Sequence, residues 1–217
     1  METGNVNILI DSGPDLRHQL LQYEFKPVDA VLYTHAHSDH CAGITDLRCF
    51  NIALKKVIPI YGSKETMAIL KHIAPFVFTP PDDSSWSKCC LEANEIENYA
   101  EFTIGGVTIQ TFGQIHGEIK STGYIVNKVA YSTDLNLLPE KSLEYLRGNI
   151  KILIINCLRY KPSHAHNNLE SALHWINEIQ PEQAILTHMA HEIDYEEVQD
   201  LLPKNVRPAY DGMELII

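Results

Sequence analysis

Four side chains with strong metal-ligand chemistry fall within six positions of this chain: His35, His37, Asp39 and His40, in the run Thr34-His35-Ala36-His37-Ser38-Asp39-His40. Imidazoles two residues apart project to the same side of an extended segment, while the carboxylate and imidazole that follow lie further round the loop. Closing all four on one ion would strain the loop. Two ions about 3.5–4 Å apart are the simpler reading, as in two-metal hydrolases. Imidazole and carboxylate together suit zinc, and also manganese or iron, whereas an all-oxygen set would suit magnesium or calcium.

A dinuclear centre needs further donors, and three stand just past apolar runs. His116 follows Thr111-Phe112-Gly113-Gln114-Ile115, Asp134 follows Ala130-Tyr131-Ser132-Thr133, and His188 follows Ala184-Ile185-Leu186-Thr187. Asp134 is the natural bridge, because one carboxylate can hold both ions and orient a water between them.

The elements that must position these donors can be read from hydrophobic periodicity. A strand over Asn5–Ile10 runs into the turn Asp11-Ser12-Gly13-Pro14-Asp15, and Asp15 is placed to cap a helix from Leu16 to Tyr23. The strand Val28–Tyr33 carries the histidine loop, with a helix expected from Cys41 to Leu47. Next come a strand over Val57–Tyr61, a helix Lys64–His72 behind a Ser63 cap, and a loop whose clearest signal is Pro80-Pro81-Asp82-Asp83-Ser84-Ser85, beside Trp86. An antiparallel block follows: Phe102–Ile104, the tight Gly105-Gly106, Val107–Phe112, Gly123–Val126 and Val129–Ser132. The chain then alternates again, with helix Glu140–Leu146, the very apolar and central strand Ile150–Ile155, helix Leu169–Ile179, strand Gln183–Leu186, helix Tyr195–Leu202 and a last strand Glu214–Ile217. Strands with helices, then a β block, then strands with helices fit an α/β (α+β) protein of two mixed sheets, packed face to face with helices outside. With no repeat or linker in its 217 residues, the chain reads as a single domain, 1–217.

Composition narrows the function. At 45% hydrophobic and 21% charged residues this is a soluble globular composition, with no apolar run of spanning length and no secretory leader pattern, so the expected compartment is cytoplasmic. A formal charge of −11 argues against an extended nucleic-acid surface, which needs a basic face. Five cysteines without a C-x-x-C indicate neither a disulfide framework nor a cysteine zinc knuckle.

His35-x-His37-x-Asp39-His40 followed by His116, Asp134 and His188 resembles the metallo-β-lactamase superfamily over nearly the whole chain. The resemblance implies an αβ/βα four-layer sandwich with the metals at strand ends. It places His35, His37 and His116 on one ion, Asp39, His40 and His188 on the other, and Asp134 between them, with Asp11 orienting the histidine loop. Leu9–Asp15, His164-Ala165-His166-Asn167-Asn168-Leu169, Leu186–His191 and Tyr210–Met213 resemble more narrowly the phosphoribosyl cyclic phosphodiesterase branch. There, the histidine matching His166 contacts phosphate or donates a proton, and His164 is its local rival. That branch begins with glycine-rich strands and a cysteine-bound zinc whose fourth ligand would match His191. This chain starts at what resembles the second strand pair, so it reads as N-terminally truncated relative to the family, with an exposed sheet edge suited to a homodimer.

The resemblance implies a dinuclear hydrolase, with two divalent ions (Zn²⁺ or Mn²⁺, iron being compatible). It would act on a small cyclic phosphate or nucleotide-like phosphodiester through a metal-bridging hydroxide, with Asp39, Asp134 and His166 as catalytic groups. Two alternatives stay open: a nuclease or transfer-RNA 3′-processing hydrolase, and a catalytically impaired metal-binding scaffold. A thioester or β-lactam hydrolase fits the His164–Asn168 segment less well, and an oxygen-reducing di-iron relative would carry glutamate in place of His37.

Overall fold

The computed structural model describes residues 1–3, 6–23, 26–79 and 88–216. The Pro80–Ser85 loop and Trp86 lie outside these residues, as do Asn5 and Ile217 at the ends of the first and last expected strands. The chain divides into two compact units, Met1–Val107 and Thr108–Ile217.

The first unit is built from β1 (Glu2–Thr3), β2 (Val6–Ile10), α1 (Leu16–Gln22), β3 (Ala30–Leu32), α2 (Ser38–Cys41), α3 (Arg48–Leu54), β4 (Ile58–Gly62), α4 (Lys64–Ile73), β5 (Leu91–Glu95) and β6 (Glu101–Ile104). Its sheet runs β1-β2-β3-β4-β5, antiparallel between β1 and β2 and parallel thereafter. Parallel strands joined by helices read as short apolar runs, and Val31, Tyr33, Ile58 and Ile60 accordingly sit in one core with Leu47, Phe50, Met67 and Leu70 from the helices. Ser63 caps α4 by accepting from the Thr66 amide, as its sequence position predicts.

The sequence expectations need three corrections in this unit. Asp15 occupies the position before α1 but makes no side-chain cap hydrogen bond. The helix expected from Cys41 starts earlier, at Ser38, and breaks into a 3-10 turn over Ile44–Leu47 before α3. β5 was not expected, because Leu-Glu-Ala-Asn-Glu has poor strand propensity. It forms because it pairs with β4 along its whole length, from Ile58 opposite Leu91 to Gly62 opposite Glu95.

The second unit contains β7 (Val107–His116), β8 (Ile119–Val126), β9 (Val129–Ser132), α5 (Glu140–Leu146), β10 (Ile152–Asn156), α6 (Leu169–Ile179), β11 (Gln183–Thr187), α7 (Tyr195–Leu201) and β12 (Val206–Pro208). Its strand order is β12-β11-β10-β9-β8-β7. The β7–β8 and β8–β9 pairs are antiparallel, and β9 to β12 are parallel. β10 lies inside the sheet, as its apolar sequence predicts. Asn168 starts α6 with a capping box shared with Ser171, and Asp194 starts α7 by accepting from the Glu196 and Glu197 amides. The last strand is β12 rather than Glu214–Ile217. β11 is extended by Val206–Pro208 in register with Ala184–Leu186, while Met213 and Leu215 pack as partly buried side chains against Val129, Ile152 and Ile185. Both units are thus mixed sheets with helices, and among the described residues no helix is long and apolar enough to cross a membrane.

Candidate metal centre

In the first unit, the donors sit where β3 ends and α2 begins. His35 is buried, His37 and Asp39 are exposed and His40 is buried, with the His35 ring 4.5 Å from that of His37 and 4.3 Å from that of His40. Asp11, just past β2, organises this cluster. Its carboxylate accepts from the Thr34 amide (2.8 Å), the Thr34 hydroxyl (2.8 Å) and His40 Nδ1 (2.7 Å). Burial pushes the Asp11 carboxyl up from its ordinary pKa, against the opposing pull of its hydrogen bonds from His40 and Thr34. The Thr34 hydroxyl has only one proton. Having given it to Asp11, its oxygen accepts from His35 Nδ1 at 3.0 Å.

The backbone is closed up just as tightly. Ser12 N donates to His40 O (2.7 Å) and Gly43 N to Ser12 O (2.8 Å). A Cβ on Gly43 would stand 2.3 Å from Gly13 O, and one on Gly13 would stand 2.6 Å from Asp39 O. The two glycines are therefore required by close approach of main chain to main chain.

In the second unit, His116 ends β7, Asp134 lies just past β9 and His188 just past β11. Asp134 is only 1% exposed, with His116 Nε2 3.5 Å from its Oδ2 and His188 Nε2 3.2 Å from its Oδ1. His116 Nδ1 donates to the Ala165 carbonyl at 2.7 Å. The Asp134 main chain is left-handed (φ 52°), as are those of His188 (φ 59°) and Asp11 (φ 58°). Such backbone is uncommon outside glycine, and here it turns a side chain across the end of its own strand. Ser121 Oγ steadies the Asp134 turn by donating to its carbonyl at 2.7 Å. Buried Gln114 in turn reaches Ser121 Oγ and the Thr133 carbonyl.

Of the two rivals, His166 is the one brought to this carboxylate. Its Nδ1 lies 4.0 Å from Asp134 Oδ1, and its ring stacks on His188 (5.2 Å, 20°) and meets His116 edge-on (4.6 Å). His164 is exposed beside Gly117, and His191 is exposed. Sequence reasoning missed Thr34 and the Ala165 carbonyl. Thr34 could have been suspected from its place before His35, but a backbone acceptor leaves no sequence signal.

Proton placement tests whether these residues fit a metal. Carboxylates and carbonyls only accept, so Nδ1 carries the proton in His40 and His116, and the Thr34 relay puts it there in His35. In the neutral rings, Nε2 then presents a lone pair. His116 Nε2 faces Asp134 Oδ2 at 3.5 Å and His40 Nε2 faces Asp39 Oδ2 at 3.5 Å, acceptor against acceptor. A divalent cation held by each pair would remove the repulsion. Two ligands at about 2.0–2.1 Å from a tetrahedral zinc are about 3.3 Å apart, close to these separations. Nδ1 held by a carboxylate, hydroxyl or carbonyl is also the usual way a metal-binding imidazole is oriented.

A family model described as a β-lactamase superfamily domain matches residues 6–189. An octanoyltransferase from Porphyromonas gingivalis is 30% identical over 214 residues, 97% of this chain and 42% of that protein. A ribonuclease Z from Bradyrhizobium diazoefficiens is 27% identical over 146 residues, 65% of this chain and 46% of that protein. The chain thus spans less than half the length of these curated relatives. Among solved structures, a diphosphatase from the PhnP family shares 29% identity with a TM-score of 0.89, covering 99% of this chain and 80% of that one. The YhfI protein of Bacillus subtilis, at 21% identity and a TM-score of 0.75 over 98% of this chain and 88% of its own, is similar in fold.

Proposed function

The chain belongs to the metallo-β-lactamase superfamily, on its PhnP-like side, and from that premise we propose that it is a metal-dependent phosphodiesterase acting on a small cyclic phosphate or nucleotide-like phosphodiester. The observation that carries the reading is the approach of an imidazole Nε2 to a carboxylate oxygen at 3.5 Å in both His116–Asp134 and His40–Asp39, a separation that suits two ligands of one divalent cation. The family resemblance assigns two ions, zinc or manganese, to these residues: His35, His37 and His116 to one, Asp39, His40 and His188 to the other, and Asp134 to both. In this reading both units serve one catalytic domain.

Divalent cations held by these residues supply Lewis acidity to water and to the phosphoryl group. The chain's own groups do the rest. Asp134, assigned to both ions, would help to hold each of them, and Asp39, exposed beside His40, would orient the attacking water. Asp11 and Thr34 hold His40 and His35 in the ligating tautomer. In this reading His166, partly exposed with its Nδ1 4.0 Å from Asp134 Oδ1, gives a proton to the leaving alkoxide. The diphosphatase relative supports a small phosphoryl substrate.

Purified protein loaded with Zn²⁺ or Mn²⁺ should cleave bis(p-nitrophenyl) phosphate or a 2′,3′- or ribosyl cyclic phosphate, and His166→Ala should keep its metal yet lose most turnover. Full metal loading with no phosphodiester cleavage would sink the reading. The ribonuclease Z relatives favour a second reading, a nuclease acting on transfer-RNA 3′ ends. The charge of −11 weighs against it, and cleavage of a precursor transfer RNA in preference to the small esters would establish it. Metal content below about one ion per chain after reconstitution would favour an impaired scaffold.

A further inference from the structure

Asn156 ends β10 with its side chain fully buried, and no part of the reaction so far uses it. One end of its amide lies 3.4 Å from His166 Nδ1, closer than the Asp134 oxygen at 4.0 Å. Which amide atom stands there follows from the neighbours. With oxygen at that end, Oδ1 accepts from the Asn167 backbone N–H at 3.2 Å and Nδ2, at the other end, donates to the Leu135 carbonyl at 3.2 Å. With nitrogen at that end, a donor faces the Asn167 N–H and an acceptor faces the Leu135 oxygen, and the one bond gained, Asn167 Nδ2 to Asn156 Oδ1 at 3.1 Å, leaves the buried Asn167 Oδ1 without a hydrogen-bond partner; turning both amides lets Asn156 Nδ2 donate to that oxygen instead. The segment is not free to relax. Leu158 N donates to Asn167 O and Asn167 N to Leu135 O, while the Asn167 side chain, also fully buried, sits 3.1 Å from the Asn156 amide.

We propose that Asn156 is the positioning residue of His166: its Oδ1 accepts from Nδ1–H, which fixes the ring's tautomer and leaves Nε2 as the nitrogen turned away from the amide. A ring flipped by half a turn would present carbon to Asn156 and lose this bond, so the amide fixes orientation as well as tautomer. The inference rests on the phosphodiesterase reading for its kinetic consequence alone, since the tautomer can be read without substrate.

The first test is a long-range ¹⁵N–¹H spectrum of the Zn²⁺-loaded protein, with His166 assigned by its loss in His166→Gln. The expected result is a protonated Nδ1. Asn156→Leu should abolish that pattern and Asn156→Asp, which keeps the acceptor, should restore it. In turnover of bis(p-nitrophenyl) phosphate, Asn156→Leu should lower kcat about 100-fold with KM little changed, the cost of a misplaced catalytic group. The same change in a His166→Ala background should cost nothing more. If Asn156→Leu does not fold, Asn156→Asp and the wild-type spectrum still decide. A proton on Nε2 alone in the wild type, or a pattern indifferent to Asn156→Leu, overturns the proposal. A correct tautomer in a protein that cleaves no phosphodiester leaves the positioning intact and removes the reaction.

Discussion

The two units hold their donors by opposite strategies. In the first, His35, His37, Asp39 and His40 are near neighbours in sequence, and one buried carboxylate, Asp11, reaches both Thr34 and His40 to lock them. In the second, His116, Asp134 and His188 come from the ends of three different strands, and Asp134 gathers the imidazoles. A contiguous loop needs one outside clamp, whereas dispersed donors need the strand register itself and a left-handed turn at each of Asp134 and His188. The first set should therefore depend on a few local contacts, and the second on a single shared ligand.

Asp134→Ala should have the largest effect, because it removes a donor common to both proposed sets. Metal analysis should find both ions weakened, and phosphodiesterase turnover should fall by at least about 1000-fold, the equivalent of several kcal/mol of Lewis-acid stabilisation. Retention of one full-affinity ion would break the comparison, since the second set would then not hang on Asp134. Asp11→Ala should be milder, costing about 10–100-fold in metal affinity, as loss of a ligand-orienting partner does, and calorimetric titration with Zn²⁺ would measure it. An effect as large as that of Asp134→Ala would make Asp11 equal in weight.

Gly43→Ala sharpens the first unit's side of the contrast. Its Cβ would meet Gly13 O at 2.3 Å, so main chain must move and thermal unfolding should show a loss of about 1–3 kcal/mol. The smallest effect belongs to Asp29, away from the donors. Burial acts to raise its carboxyl, but the Asn7 amide and Lys56 ammonium outweigh burial and hold it below the ordinary carboxylate range. Its folded-state pKa is depressed, so its contribution is present above the unfolded value of about 3.9 and is lost as pH falls through the folded one. Melting curves of wild type and Asp29→Asn should differ slightly at neutral pH and converge in acid.

Much of this was legible beforehand where local signals were strong. β9, α5 and α6 fall where periodicity puts them, because apolar spacing and caps agree with tertiary packing there. β5 and β12 were not legible, since each is a strand only by virtue of the neighbour it pairs with. The same division runs through the site. His35-x-His37-x-Asp39-His40 declares its chemistry because ligand type and spacing are local facts. The choice of His166 over His164, and the roles of Thr34, the Ala165 carbonyl and Asn156, depend on which groups different strands bring within 3–4 Å.

The sequence by itself thus determined the donors, their chemical class and the alternation of strands and helices that carries them. Only the tertiary structure decided how those donors are protonated and aimed. A tautomer is set by the acceptor opposite Nδ1, and for His40, His35 and His116 these are a carboxylate more than twenty residues away, an adjacent hydroxyl already committed to that carboxylate, and a backbone carbonyl from another strand's loop.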